Sequence, residues 1–221
     1  MKKYILLLFF LASACSTINA PSASVLTSSN CELPCWNGIS PGTTSPEEAY
    51  QKLQNIESVN LNSKNSINQP WKMFSGTITF AIHLKEFGIG EEVDGEIYII
   101  DDRVTVLKLF RNLNLTFEDG IQKFGEPEII ITVPLYHGGE YSLVAIYPSR
   151  GVAFESILYS NNVEKETEIF AITSFDINRY ENLLEAGMFS DGFYESVDSK
   201  IIMYPWKSYG NVEELYNPDS P

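Results

Sequence analysis

Residues 95–110 read GEIYIIDDRVTVLKLF. Runs rich in Ile, Val, Tyr and Leu flank Asp101-Asp102-Arg103, and β-branched or aromatic stretches around a short polar turn predict a β-hairpin. The preceding segment, GTITFAIHL (76–84), alternates Ile78, Phe80, Ile82 and Leu84 with Thr77, Thr79, Ala81 and His83. That period of two predicts a strand with one face buried and one in water. Downstream, PEIIITVPLY (127–136), YSLVAIYP (141–148) and GVAFESILY (151–159) predict a meander turning at His137-Gly138-Gly139-Glu140 and at Pro148-Ser149-Arg150-Gly151. EIFAITSF (168–175) adds a further strand. Strands joined by short turns make antiparallel sheet.

Helix signals punctuate these strands. In PGTTSPEEAYQKL (41–53), Thr44 and Glu47 have capping-box spacing, Pro46 suits a first helical turn, and Ala49, Leu53 and Ile56 form an apolar stripe. In NLTFEDGIQKFGEP (114–127), Thr116 and Asp119 repeat the cap, Ile121 and Phe124 the stripe, and Gly125 with Pro127 the stop. The two caps stand 72 residues apart with strands between them, a spacing an internal duplication explains economically. DINRYENLLEAG (176–187) predicts a third helix capped by Asp176, striped by Tyr180, Leu183 and Leu184, and stopped at Gly187. SKIIMYPWKSYG (199–210) predicts a last strand ending in aromatics, and NPDSP (217–221) a frayed tail. The expected class is therefore α+β: an antiparallel, curved sheet with short helices. Its expected organisation is two tandem helix-plus-strands repeats, 31–112 and 113–175, and a 176–221 extension packed on the same domain.

A short helix followed by antiparallel strands, twice over, resembles the β-lactamase-inhibitor-protein-like fold of the SmpA/OmlA (BamE-type) small lipoproteins. Gly42-Thr43-Thr44 with Glu48-Ala49 matches that repeat's helix start, and Phe124-Gly125-Glu126-Pro127 its helix end. LPCWNGISPGTT (33–44) is also similar to the opening PCWWGI-PG-T of a group of bacterial lipoproteins, with Asn37 in place of the second Trp. These likenesses imply an exported lipoprotein and carry no activity with them.

The N-terminus points the same way. Lys2 and Lys3 precede an eight-residue apolar run, Tyr4 to Leu11, too short to span a bilayer and suited to a signal-peptide core. Ala12-Ser13-Ala14-Cys15 resembles a bacterial lipobox, although Ala12 stands where Leu is usual. That resemblance implies removal of residues 1–14 and a diacylglyceryl group on Cys15; secretion with cleavage after Ala14 or Ala20, or an uncleaved anchor, are the alternatives. Dual acylation anchors stably because each buried methylene contributes about 0.8 kcal/mol. Residues 15–30 then form the lipidated cysteine and a flexible Ser/Thr/Ala/Asn tether, reaching roughly 20 Å. About 190 residues remain from Cys31 onward, enough for one substantial core.

The net charge of −14 becomes −16 without residues 1–14, which hold two lysines and no acid. Such a chain is a poor match for nucleic acid or for electrostatic attraction to anionic lipid. Cys31 and Cys35, in CELPC, are the remaining cysteines, and in an oxidising compartment a pair predicts a disulfide fixing the tether to the fold. The other readings are functional thiols or copper chemistry, which needs a further ligand such as His83 or His137, and an unpaired state. His83 reads as a surface residue and His137 as a turn residue.

No nucleophile elbow, H-E-x-x-H, P-loop or EF-hand pattern is present in the sequence, and GIGEEVDG (88–95) breaks the dinucleotide fingerprint at Val93. Glu91, Glu92, Asp94, Glu96, Asp101 and Asp102 read as a solvated acidic edge before they read as a Ca²⁺ site. Trp71, Tyr136, Tyr141, Tyr204, Trp206 and Tyr209 lie at expected strand ends or loops, where rings serve either as binding anchors or as packing. The expectation is a non-catalytic, membrane-anchored extracytoplasmic lipoprotein without cofactor, whose sheet binds a protein or glycan partner or supports an envelope assembly. Its alternatives are a thiol-redox or copper-handling protein using Cys31 and Cys35, and a glycan-binding surface lipoprotein.

Overall fold

The structure, a computed structural model, describes residues 27–28, 31–65, 75–83, 92–135, 140–189 and 203–216. Strand β1 (Thr27–Ser28) pairs with β2 (Cys31–Glu32). Helix α1 (Pro46–Gln54) precedes four strands: β3 (Val59–Asn65), β4 (Gly76–His83), β5 (Glu92–Ile100) and β6 (Arg103–Phe110). Helix α2 (Phe117–Phe124) precedes β7 (Ile129–Pro134), β8 (Tyr141–Tyr147), β9 (Val152–Leu158), the short β10 (Asn162–Val163) and β11 (Ala171–Phe175). Then come α3 (Tyr180–Glu185), β12 (Met203–Tyr204), β13 (Gly210–Asn211) and α4 (Val212–Tyr216).

Among the described residues nine strands form one antiparallel sheet in the order β12-β7-β8-β9-β11-β6-β5-β4-β3, and the protein is α+β. Read outward from the middle, β6-β5-β4-β3 and β11-β9-β8-β7 are matching series. The innermost strands, β6 and β11, meet at a central seam running from Phe110 opposite Ala171 to Val106 opposite Phe175. The hairpin of residues 95–110 turns on Asp101 and Asp102, both left-handed (φ 50° and 57°), which matches the twist of the flanking strands.

Both leading helices start on reciprocal caps. In α2 the Thr116 hydroxyl accepts from the Asp119 N–H at 3.3 Å, and the Asp119 carboxylate accepts from the Thr116 N–H at 2.8 Å. The cap of α1 falls one residue later than the Thr44–Glu47 spacing predicts. Ser45 is the cap and Glu48 its partner, because the Thr44 hydroxyl is committed to the Ser40 N–H at 2.8 Å and Pro46, lacking an N–H, takes the first helical position. Further elements go beyond the sequence reading. The polar β3 is ordered as an edge strand on β4, the five-residue α4 is capped by Asn211, whose side chain accepts from the Glu213 N–H, and the two-residue strands β1, β2 and β10 add short pairings.

One apolar core lies between the sheet and α1, α2, α4 and the Leu33–Ile39 segment; a second lies on the opposite face beneath Leu183, Met188 and Phe189. The half-buried strand pattern therefore holds less well at the sheet centre, where Ser142 to Tyr147 are all buried. Two glycines set close approaches. Gly95 lies under the Phe80 ring, where a Cβ would come within 2.1 Å, and Trp36 stacks on Phe80 at 5.7 Å. Gly120 lets α2 settle on Phe154. Among the described residues no helix is long and apolar enough to cross a membrane.

The second face holds a buried ion pair. Lys108 on β6 and Glu155 on β9 meet at 3.1 Å with side chains 3% and 7% exposed, reaching over β11 where only Ala171 and Thr173 stand between them. Removing one partner strands a buried charge, whereas replacing both removes the desolvation cost as well. Lys108→Met should therefore lose about 3–5 kcal/mol in urea denaturation. The double variant Lys108→Met/Glu155→Leu should recover most of that loss; equal losses would show that the pair is not the coupled unit described.

Candidate functional site

The turns at the two ends of the central strands form different surfaces. At one end, Cys31 and Cys35 are joined as a disulfide with a Cα–Cα distance of 5.7 Å. A loop this small contributes about 2 kcal/mol through chain entropy, so its use is local. The Cys35 N–H donates to the Glu32 carbonyl at 3.0 Å, and the Gly38 N–H to the Cys31 sulfur at 3.2 Å. Lys52 of α1 donates to the Gly38 carbonyl, and Lys123 of α2 pairs with Glu32 at 3.1 Å. Leu33, Trp36 and Ile39 anchor the same segment in the core. A groove of about 360 Å³ opens beside it, lined by Glu32, Pro34, Lys123, Arg150 and Ile177 among others. No group of three His, Cys, Asp or Glu side chains that could hold a metal occurs among the described residues.

Four of the six rings singled out above are described. Trp71 and Tyr136, like Cys15 and His137, lie outside the described residues. Tyr141, Tyr204, Trp206 and Tyr209 are half-buried and pack against the first core. Trp206 stacks on Phe117 at 5.4 Å and meets Tyr209 edge-on at 5.5 Å, while Tyr204 packs on Tyr216 at 5.7 Å. The Tyr209 hydroxyl donates to Glu118 at 2.6 Å and the Tyr141 hydroxyl to Glu213 at 2.7 Å. These rings fasten the C-terminal segment to α2 and β8. The acidic residues of the β5–β6 hairpin are spread along its length: Asp94 pairs with Arg111 at 2.9 Å, Glu96 accepts from the Tyr98 hydroxyl, and Asp101 at the turn pairs with Arg179 at 2.5 Å. Asp94 and Asp101 stand roughly 20 Å apart along the strand.

The opposite end carries a second groove, of about 320 Å³, lined by Arg111, Asn112, Ile157, Tyr159, Glu168 and Phe170. It exists because β11 starts late. The last pair of β9 with β11 is Glu155 with Ala171, while β8 follows β9 as far as Leu158. Past Glu155 the chain of β9 continues beside the β6–α2 loop with a gap between them. Tyr159 stands at the rim, 80% exposed, while Ile157 and Phe170 beside it are half-buried. The β6–α2 loop forms the other wall in a costly conformation: Arg111, Asn112 and Asn114 all have positive φ (67°, 44° and 52°). Such backbone costs on the order of 1–3 kcal/mol per residue and clusters at functional sites. It is held because Leu113 and Leu115 are buried and the Arg111 N–H donates to the Phe170 carbonyl at 2.9 Å. The Arg111 guanidinium is fixed between Asp94 and the Phe110 ring, 5.8 Å from its centroid.

None of the six lining residues was singled out in the sequence. Tyr159 read as the end of a strand, and the only local signal was Asn-rich RNLN, whose asparagines tolerate left-handed backbone. The groove offers apolar faces and planar hydrogen-bonding groups with one positive and one negative side chain.

Burial holds the Tyr147 hydroxyl well above the ordinary phenol value of 10.0 and also raises Tyr216 and Tyr180; burial and then the bond to Glu118 raise Tyr209, and the bond to Glu213 raises Tyr141. A folded pKa above the unfolded one gives stability that is intact below pH 10 and lost as pH rises beyond it. Alkaline titration should show native tyrosines ionising in two classes, the later one together with unfolding, and one class in urea. A single class in the native protein would contradict these placements. No family model, no curated protein and no solved structure matches this chain.

Proposed function

We propose that the protein is an extracytoplasmic lipoprotein held to a membrane through diacylglyceryl-Cys15, with a non-catalytic role in binding a partner or supporting an envelope assembly. The observation that carries this reading is the placement of Ala12-Ser13-Ala14-Cys15 directly after a charged start and an eight-residue apolar run. The Cys31–Cys35 disulfide supports it, since such bonds persist in oxidising compartments. The strong negative charge supports it too, because an acidic domain stays soluble beside an anionic membrane. Residues 16–30 act as the tether, its end at Thr27–Ser28 pairing with Cys31–Glu32, and the disulfide fixes where that tether joins the fold. The matching order of α1 with β3 to β6 and α2 with β7 to β9 and β11 supports descent by internal duplication, as part of the same proposal.

Mass spectrometry of the mature protein from membranes should find an N-terminal peptide starting at Cys15 and carrying diacylglycerol. Cys15→Ser should move the protein from the membrane fraction to the soluble fraction. A free thiol at Cys15, or a retained leader, would overturn the reading.

A further inference from the structure

We propose that the groove between Tyr159 and the Arg111–Asn114 loop is a binding site for an uncharged glycan. The inference rests on the binding role proposed above and gives that role a place and a ligand class. The groove lies at the opposite end of β9 from the disulfide. Tyr159 follows that strand, and the Pro148–Gly151 turn precedes it, packed beside Pro34 at the tether end. Seven residues of strand put roughly 20 Å between the two ends, so the groove faces away from the point where the tether enters.

The lining selects the ligand class. Tyr159 presents an open ring face and Ile157 and Phe170 a partly covered apolar floor, the surface on which the C–H face of a sugar ring stacks. Arg111 and Glu168 are planar groups able to make paired hydrogen bonds with vicinal hydroxyls. Phosphate or carboxylate ligands are a poor match: Arg111 shares its charge with Asp94, Glu168 adds a negative charge, and the protein as a whole stands at −14. A peptide added as a strand is a poor match too, since β9 runs only three residues, Ser156–Leu158, beyond its ladder with β11. A volume of about 320 Å³ sits at the small end of ligand sites, suited to a short run of sugar units held along an open groove. Buried Leu113 and Leu115 and the hydrogen bond from the Arg111 N–H to the Phe170 carbonyl keep the wall in place before any ligand arrives, so little ordering cost falls on binding.

The test uses the full-length Cys15→Ser protein, so that it reads the groove whether or not Cys15 carries lipid. Tetra-N-acetylchitotetraose, cellotetraose, maltotetraose and mannotetraose are titrated by calorimetry and saturation-transfer NMR, with tetraalanine as the peptide arm. Saturable binding of at least one glycan is expected. Tyr159→Ala should weaken it tenfold or more, Tyr159→Trp should retain it, and Ile177→Ala at the tether end should leave it unchanged, all with unaltered circular dichroism. No saturation by any glycan, saturation that survives Tyr159→Ala, or saturation by the peptide alone would overturn the assignment.

Discussion

The seam between β6 and β11 is the constraint on which the rest of the molecule depends. Each half of the chain supplies a helix and four strands of the sheet, and each half alone would expose one central strand edge. Pairing those edges closes the sheet and lets both apolar cores run across it. The Lys108–Glu155 pair adds a polar lock that spans the seam from β6, over β11, to β9. It fits only because Ala171 and Thr173 are small where the two side chains cross. A buried pair of this kind adds little net stability against an apolar replacement, whereas loss of one partner alone is costly.

The seam also sets strand polarity, and polarity sets the two ends. With β6 and β11 antiparallel, the turns at Asp101-Asp102, Pro148–Arg150 and Asp176–Arg179 gather beside the disulfide, where the chain enters. The Arg111–Asn114 loop and Tyr159 fall at the far end. The entering segment is fixed by packing as well as by sulfur: Trp36 lies on Phe80, and Phe80 lies over Gly95, so the PCW opening reads directly onto the sheet.

Much of the architecture was legible in local chemistry. Helix caps, apolar stripes, alternating strands and the Asp101-Asp102 turn are all signals of a few neighbouring residues, and they place the hairpins and three of the four described helices, although Asp176 caps the turn Ile177–Arg179 that leads into α3. What could not be read depends on distant partners. Lys108 looks like a solvent-facing residue within an alternating strand, and only the arrival of Glu155 from β9 makes its burial tolerable. The polar VNLNSKN sequence of β3 lacks a strand pattern because an edge strand needs only its neighbour's ladder. Tyr141, Tyr204, Trp206 and Tyr209 have the composition of a binding surface but face Phe117, Tyr216, Glu118 and Glu213 instead. The groove escaped notice because it is made by a mismatch between strand ends, a property of register that no single stretch of residues encodes.

The most direct measurement of the seam is native-state hydrogen exchange across a denaturant series. If β6 and β11 join the halves into one cooperative unit, their amides will be the slowest to exchange and will open together, only with global unfolding. Exchange of the α2–β11 half at a lower free energy than the α1–β6 half, with β6 amides still protected, would mean that the halves are separate units and would contradict the account.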